Sequence, residues 1–488
     1  MSAKSRIVTI SVATAVLYLA NDWTQRAISQ GAPLAASVFA DVRAASAPTR
    51  LLHDWKALVF VAVTVCLFIC YAAVLTMCRR GEFADRDARA WALVVPWVVN
   101  VLLLLSPPTL SEDLYSYMAH GFLGLTPHGN PLLQPASEVG LSEFGSTLAS
   151  FGWHGLVPVT PYGILWTRIE MLIMRLSGAQ IPMALILFKT VAVAASMASA
   201  WLIHSILGRI SPSTQVFGAL LYSWNPLVVV EFAGEGHNDS IMVFFVLLAL
   251  GACVSRRGAS SMVALALGIL TKYFPVLFVP PQFVYLWRTR RNTLRLALEA
   301  LAVLAILAAV AAVLYEPVWA GRRTFDGLIQ RGIPVSSASP PGVVNWILRR
   351  SSLASHSAGI VVAFTTLPIL AFVAWISMRV RDAAGLAKSF AWISIAYVLF
   401  ASPDYWPWYS CMPIALIAVS NADRLWWLAA FMSLAGRLCS PLNLWYDEGF
   451  LTYVVAKGVS TAFGTTVPLI ITMAWVYIQR RRSSGRFA

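Results

Sequence analysis

The feature of this sequence that most constrains its fold is a series of apolar runs that recurs along almost the entire chain. The runs at 57–77, 182–207 and 294–315 are long enough to cross the hydrocarbon core of a bilayer, which takes about 20 helical residues. Of the 488 residues, 58% are hydrophobic and only 12% are charged, far below the charged fraction of a soluble domain. This pattern excludes a soluble globular protein, a disordered chain and an ordinary nucleic-acid-binding protein. It predicts an all-α polytopic membrane protein.

Shorter apolar runs lie between the long ones, and the clearest pair flanks Lys272, at 260–271 and 273–287. Short or broken helices occur at membrane depth where they line a cavity. Counting both kinds of run predicts about 12–14 transmembrane helices in a single integral-membrane domain over residues 1–488. The apolar run near 7–20 is expected to be a retained first helix rather than a cleaved signal peptide.

The basic residues determine the expected orientation, because positively charged connections stay in the cytoplasm. They concentrate near 79–89, 256–257, 288–295, 379–388 and 480–482, and they account for most of the net charge of +14. The aromatic-rich connections are therefore expected outside, chiefly a first large loop at 106–181 and a second at 316–357. Residues 161–175 of the first loop mix charged and apolar side chains, which favours a helix lying in the membrane interface. A poor transmembrane helix is the alternative.

Two adjacent carboxylates, Glu112 and Asp113, follow the third apolar run at the expected outer surface. A carboxylate there is placed to act as a general base. Capping is an alternative explanation, because Ser111 can cap a helix and acidic residues stabilise the positive end of its dipole. Tyr117, His120 and the turn around Tyr162 belong to the same loop and are candidates for the floor of a groove.

A second polar cluster, at 231–240, contains His237, Asn238 and Asp239. Ionisable groups this close to a bilayer are costly and commonly functional, although Asp239 is also suited to capping the next helix. Lys272 is a candidate phosphate ligand. Its alternatives are snorkelling to the interface or pairing with one of the acids, Glu231, Glu235 or Asp239.

Two more motifs carry candidate residues. Arg322 and Arg323 lie in the second outer loop, where positive charge is unexpected, and this favours a bound lipid phosphate over a merely solvated loop. Trp408 and Tyr409 join two apolar runs, where they can anchor helices or stack on a sugar ring. The six cysteines and seven histidines show no metal-type spacing, so no metal site and no disulfide framework is expected.

Taken together, these motifs resemble the GT-C superfamily of integral-membrane glycosyltransferases. The nearest resemblance is to the bacterial polyprenyl-phosphate-mannose-dependent alpha-mannosyltransferases. The matching segments, in the family's order, are 113–117 with Gly121, 161–163, 236–239, 272–275 and 407–409. One departure is Ile164, which stands where family members commonly have proline after Tyr-Gly.

The resemblance implies an inverting glycosyltransferase that moves a hexose, with mannose favoured, from a polyprenyl-phosphate donor to a glycan or lipid acceptor. It implies a multi-pass inner-membrane protein with a periplasmic active site. Asp113 would be the base, with Glu112 as its substitute, and Lys272 with Arg322 or Arg323 would neutralise the departing phosphate. The implied substrate-binding residues are Tyr117, His120, Tyr162, His237, Asn238, Asp239, Tyr273, Trp408 and Tyr409.

Besides the donor and acceptor, membrane lipid is the expected partner, and no cofactor and no nucleic acid is expected. The alternative function is a transporter or flippase of lipid-linked sugars, for which internal repeat symmetry would be typical. A scaffold protein of an envelope-assembly complex is a third hypothesis.

Overall fold

The computed structural model describes residues 1–29, 55–151, 153, 155, 158–289, 293–331, 339–420, 425–447 and 458–484. Within these ranges the regular secondary structure consists of helices, and the predicted all-α polytopic membrane class is confirmed. The α-helices are α1 (Ala3–Ser29), α2 (Trp55–Arg79), α3 (Arg86–Leu104), α4 (Asp113–Leu123), α5 (Glu143–Ser150), α6 (Ile164–Leu176), α7 (Ile181–Ile210), α8 (Gln215–Ser223), α9 (Pro226–Val229), α10 (Asp239–Val254), α11 (Gly258–Thr271), α12 (Val279–Thr289), α13 (Thr293–Tyr315), α14 (Asp326–Arg331), α15 (Pro340–Leu348), α16 (Ser357–Ser377), α17 (Ala383–Ala396), α18 (Cys411–Val419), α19 (Trp426–Asp447) and α20 (Val467–Ser484).

Among the described residues, eight helices are long and apolar enough to cross a membrane, or nine when the bent pair 212–223 and 226–234 is counted as one span. Three shorter apolar helices lie at 239–254, 258–271 and 407–419. The number of simple spans is therefore lower than the expected 12–14, because several apolar runs form short or bent helices. The assignment of all 488 residues to a single domain stays a prediction.

Asn225 produces the bend between α8 and α9. Its side-chain oxygen accepts hydrogen bonds from the backbone N–H groups of Leu227 and Val228, which leaves Pro226 as the first residue of the new helix. Ser433 donates to the same oxygen at 2.6 Å and ties the bend to α19. The described residues include three single turns of π-helix. Val230–Gly234 follows α9, Tyr397–Ala401 follows α17 and Ala462–Thr466 precedes α20. Such π-turns are frequent at functional sites.

The core lies around α18, whose residues from Cys411 to Val419 are all buried. The first connecting segment, residues 105–180, packs over one end of this bundle as the short helices α4, α5 and α6. Gly121 lets α4 approach α6 closely, since a Cβ atom there would lie 2.5 Å from the carbonyl oxygen of Glu170. The helix expected at 161–175 is α6, and its location in the membrane interface stays a prediction.

The connections between successive helices lie alternately at the two ends of the helix bundle. The C-termini of α3 and α11 and the N-termini of α7 and α10 meet at the end covered by the first connecting segment, which we call the site end. The connections after α2, α7, α10 and α16 meet at the opposite end, where Arg288 donates to the carbonyl of Val380 at 2.8 Å and Arg209 bonds Ser255. The arginine-rich connections therefore lie opposite the site end.

Candidate active site

Asp113 is the first residue of α4, and its side chain is 29% exposed. The Tyr162 hydroxyl donates to its Oδ2 atom at 3.2 Å, and the Tyr117 hydroxyl lies 3.5 Å from the same oxygen. The Ser111 hydroxyl oxygen accepts the Asp113 backbone N–H at 3.1 Å, but the N-cap residue of α4 is Glu112, whose side chain makes no capping hydrogen bond. Asp113 therefore combines a fixed backbone with a carboxylate that remains accessible.

His237 is completely buried, and its imidazole faces Asp113. Its Nδ1 atom lies 3.1 Å from both the carboxylate and the backbone carbonyl of Glu231. Both partners are acceptors, so Nδ1 carries a hydrogen. The Nε2 atom lies 3.9 Å from Asp113 Oδ2 and has no hydrogen-bond partner among the described residues.

Burial lowers the pKa of His237, but the hydrogen bond that His237 donates to Glu231 and the negative charges of Glu231, Asp113 and Glu235 outweigh that effect. The pKa of His237 is therefore raised. An imidazolium here would donate from Nε2 toward the Asp113 carboxylate or toward a hydroxyl bound between them. The pair gives the site a second group that can hold a proton next to Asp113.

The chain turn at 235–238 brings His237 to this position. Gly236 has a φ of 76°, in the left-handed region that favours glycine, and a Cβ atom there would lie 2.9 Å from Leu114. Asn238 follows, fully buried, and neither polar atom of its side chain has a hydrogen-bond partner among the described residues. Buried amide groups are normally satisfied, so Asn238 is suited to bonding a bound hydroxyl.

Lys272 follows α11 and pairs with Asp239, the first residue of α10. Its Nζ atom lies 2.8 and 3.0 Å from the two carboxylate oxygens. Of the three acids considered from sequence, Asp239 is thus the partner. The ammonium also lies 4.9 Å from the ring centre of Tyr409 and 5.7 Å from that of Tyr162. Tyr162 therefore contacts both the Asp113 carboxylate and the Lys272 cation.

Three aromatic rings form a stack beside this cluster. Trp408 lies 4.0 Å from His237 and 5.1 Å from Trp406, with interplanar angles of 18° and 10°. The Trp406 indole donates to Asp404 at 2.8 Å, which fixes the outer ring of the stack. Trp408 thus supports the imidazole, and Trp406, which the sequence analysis omitted, extends the stack.

Other predicted site residues lie further from Asp113. Tyr273 donates to the carbonyl of Tyr162 at 3.3 Å, and His120 Nε2 lies 3.1 Å from the carbonyl of Pro158, so both are joined to the backbone of the first connecting segment. Arg322 and Arg323 are exposed on the short helix Gly321–Phe325. No hydrogen bond or ion pair among the described residues joins either arginine to Asp113 or Lys272. Glu112 precedes Asp113 and is half-buried.

Two buried cations near the site were missed from the sequence. Lys189, within α7, donates to the carbonyl of Leu103 at 2.7 Å and to that of Ser106, at the end of α3. Arg437, within α19, is fully buried and donates to Asn21 at 3.1 Å. The available signal was a lone cation inside an apolar run, which is costly unless it has a role. No group of three or more histidines, cysteines or acids in the described part of the chain is arranged to hold a metal ion.

Comparison with known proteins identifies the family. The family model described as "Alpha-(1->6)-mannopyranosyltransferase, N-terminal domain" matches residues 12–289, which include Asp113, His237 and Lys272. The chain is 25% identical to "Alpha-(1->6)-mannopyranosyltransferase A" of Mycobacterium tuberculosis over 378 residues, covering 69% of this chain and 66% of that protein. It is 24% identical to the protein of the same name from Corynebacterium glutamicum over 196 residues, covering 39% of this chain and 36% of that protein.

The chain thus spans slightly less than two thirds of the first of these relatives, and a smaller share of the second. The matched family region contains α4, α6 and the turn at 235–238, and it ends before Trp406 and Trp408 of the aromatic stack. More than half of the chain matches the family model, so the protein belongs to the alpha-(1->6)-mannopyranosyltransferase family, in agreement with the GT-C resemblance of its motifs.

Proposed function

We propose that this protein is an inverting glycosyltransferase that moves mannose from a polyprenyl-phosphate donor to a hydroxyl group of a glycan or lipid acceptor. Family membership supports mannose as the sugar. The observation that carries the proposal is the Asp113 carboxylate. It is accessible, held by the Tyr162 hydroxyl at 3.2 Å, and 3.9 Å from the unpartnered Nε2 of His237.

In the proposed reaction, Asp113 accepts the proton of the acceptor hydroxyl as its oxygen attacks C1 of mannose. The bond between C1 and the phosphate oxygen breaks, and polyprenyl phosphate leaves with the electron pair. Attack occurs on the face opposite the leaving group, so a β-linked donor gives an α-linked product. Positioning and general base catalysis are the contributions of the protein to this step.

Charge develops on the departing phosphate, and Lys272 is the cation proposed to meet it. Its ammonium is partly exposed and lies between the rings of Tyr162 and Tyr409 while paired with Asp239. Arg322 and Arg323 are proposed as a second phosphate contact, at the exposed turn that follows α13. His237 and Asn238 are proposed to bond sugar hydroxyls with their unpartnered atoms.

The site end lies opposite the arginine-rich connections. Because such connections stay in the cytoplasm, we place the active site on the periplasmic face of the inner membrane. A lipid-linked donor would then reach Lys272 from within the bilayer.

The test measures transfer by the purified protein in lipid nanodiscs, with radiolabelled polyprenyl-phosphate-mannose and an acceptor extract. Asp113→Asn keeps the size of the side chain but removes the base, so we expect a loss of at least about 100-fold in rate. Glu138→Gln is the matched control, since it neutralises an exposed carboxylate of the same segment.

Transfer that Asp113→Asn abolishes and Glu138→Gln retains would support the enzyme, its donor and its base together. Donor movement across vesicle membranes without any transfer would instead support the flippase. Equal transfer by the wild type and Asp113→Asn would overturn the assignment of the base.

A further inference from the structure

Glu235 carries a second, unassigned carboxylate close to the candidate site. Its side chain is 2% exposed. It accepts hydrogen bonds from three successive backbone N–H groups: Thr109 at 3.2 Å, Leu110 at 3.0 Å and Ser111 at 3.2 Å. The Thr109 hydroxyl lies 3.5 Å from its other oxygen. A carboxylate that accepts hydrogen bonds from three successive backbone amides fixes the conformation of that backbone segment. Charge-assisted hydrogen bonds are about twice as strong as neutral ones.

The three amides belong to the turn that leads into α4. Ser111 links this turn to the proposed base, because its hydroxyl oxygen accepts the backbone N–H of Asp113 at 3.1 Å. A continuous series of hydrogen bonds therefore runs from the Glu235 carboxylate through Ser111 to Asp113. Loss of the first bond would free buried amides, each of which costs free energy when unpaired.

The same short turn also places the groups that face Asp113. Glu235 and His237 are separated by Gly236, whose positive φ directs the two side chains to different parts of the site. One side chain holds the backbone before Asp113, and the other presents Nε2 to its carboxylate. Because both contacts come from one turn, the separation between Asp113 and His237 depends on Glu235.

Arg437 supplies a buried positive charge near Glu235. Arg437 on α19 is close enough for its charge to act on those of Glu231 and Glu235. Burial and the charge of Glu231 raise the pKa of Glu235, whereas His237 and the backbone N–H groups of Leu110 and Thr109 act in the opposite direction. The three backbone N–H groups all donate to Oε2, which can accept them in either protonation state of the carboxyl group.

We infer that Glu235 is a positioning residue of the transfer reaction, which holds Thr109–Ser111 and thereby fixes the Asp113 carboxylate against His237. The inference rests on the proposed function for its effect on rate, but not for its effect on the backbone. It assigns Glu235 no contact with either substrate.

The first test is kinetic and uses Glu235→Gln. Glutamine keeps an acceptor oxygen that can take the place of Oε2, but it removes the negative charge and turns an NH2 group toward the Thr109 hydroxyl. We expect kcat to fall by about 10- to 100-fold, because small displacements of a catalytic group cost rates of that order. The KM for polyprenyl-phosphate-mannose should stay within about twofold of the wild-type value, since transition-state positioning is lost while donor binding is kept.

Ser111→Ala removes the next bond in the series and provides a second variant. If Glu235 acts through Ser111, the double variant should be no slower than the slower single variant. The inference would be overturned if the losses in kcat of the two single variants added fully in the double variant. It would also be overturned if the kcat of Glu235→Gln equalled that of the wild type. Glu138→Gln again serves as the control.

The second test does not need turnover. Hydrogen exchange followed by mass spectrometry should show the amides of 109–111 exchanging at least about fivefold faster in Glu235→Gln than in the wild type, because a neutral acceptor holds them less strongly than a carboxylate. Exchange in α11 should be unchanged. Equal exchange at 109–111 would overturn the inference even if no donor supports transfer, whereas faster exchange without transfer by the wild type would count against the proposed function alone.

Discussion

At the scale of single residues, each buried charge near this site is stabilised in a different way. Lys189 donates to carbonyls at the end of α3, Lys272 pairs with Asp239, and Glu235 accepts hydrogen bonds from backbone amides.

Glu170 on α6 is also fully buried, although the sequence favoured a helix that mixes charged and apolar side chains in the membrane interface. Burial raises the pKa of Glu170 well above its ordinary value, by more than the Trp166 indole lowers it. The fold therefore favours the protonated form of Glu170 more than the unfolded chain does.

This protonation state makes stability depend on pH in a defined direction. The native protein keeps the Glu170 proton at pH values where the unfolded chain, with an ordinary pKa of 4.5, releases it. Stability is therefore lost as pH rises above about 4.5, by at most about 1.4 kcal/mol per unit, until the native pKa is reached. Glu170→Gln cannot ionise, so we expect its advantage in Tm over the wild type to grow between pH 5 and pH 8. Tryptophan fluorescence during heating in detergent would measure it.

Glu138→Gln should show no such trend, because Glu138 is exposed. A difference in Tm between Glu170→Gln and the wild type that stays constant across this pH range would show that Glu170 is ionised in the native protein.

At the scale of helices, the geometry of the site depends on the short distance between the start of α6 and the end of α11. The Gly163 N–H donates to the carbonyl of Thr271 at 3.0 Å, and a Cβ atom on Gly163 would lie 2.1 Å from the carbonyl oxygen of Leu270. That contact involves backbone on both sides, so a side chain cannot be accommodated by rotation. Gly163 therefore sets the distance between Tyr162 and Lys272.

Gly163→Ala should push α6 away from α11 and carry the Tyr162 hydroxyl away from Asp113. Overpacking of this kind costs about 1–3 kcal/mol, so we expect a lower Tm together with slower transfer. Gly140→Ala is the matched control, because no atom lies within 4 Å of its Cβ position. Wild-type Tm and rate in Gly163→Ala would contradict the proposed role of this close approach.

The helices and turns also explain how much of the fold and of the site could be predicted from sequence. The long spans, α6 and the positions of Asp113 and Lys272 could be predicted, because hydropathy and motif order are local properties. The partner of Lys272 could not be chosen among three acids, since the choice depends on the turn at Gly236. The stack of Trp406, Trp408 and His237 joins residues far apart in sequence, so no local sequence pattern predicts it.

At the scale of the whole molecule, the separation of two ends is the property that relates the fold to a membrane. The site end carries the first connecting segment and the candidate catalytic residues. The opposite end carries the arginine-rich connections, including Arg79, which lies 4.7 Å from the ring of Trp426 and 5.2 Å from that of Phe217. The proposed transfer from a lipid-linked donor would use this separation, because its two substrates would have to meet on one side of the bilayer.

The separation predicts which exposed positions a membrane-impermeant reagent can reach. Glu138 at the site end and Arg381 at the arginine-rich end are both exposed, so cysteine can replace either one with little effect on packing. In spheroplasts of a bacterial host, we expect a charged maleimide to label Glu138→Cys directly and Arg381→Cys only after permeabilisation, because positively charged connections stay in the cytoplasm. The wild type gives the background from the native cysteines. The reverse pattern would place the candidate site in the cytoplasm, where the proposed periplasmic transfer could not occur.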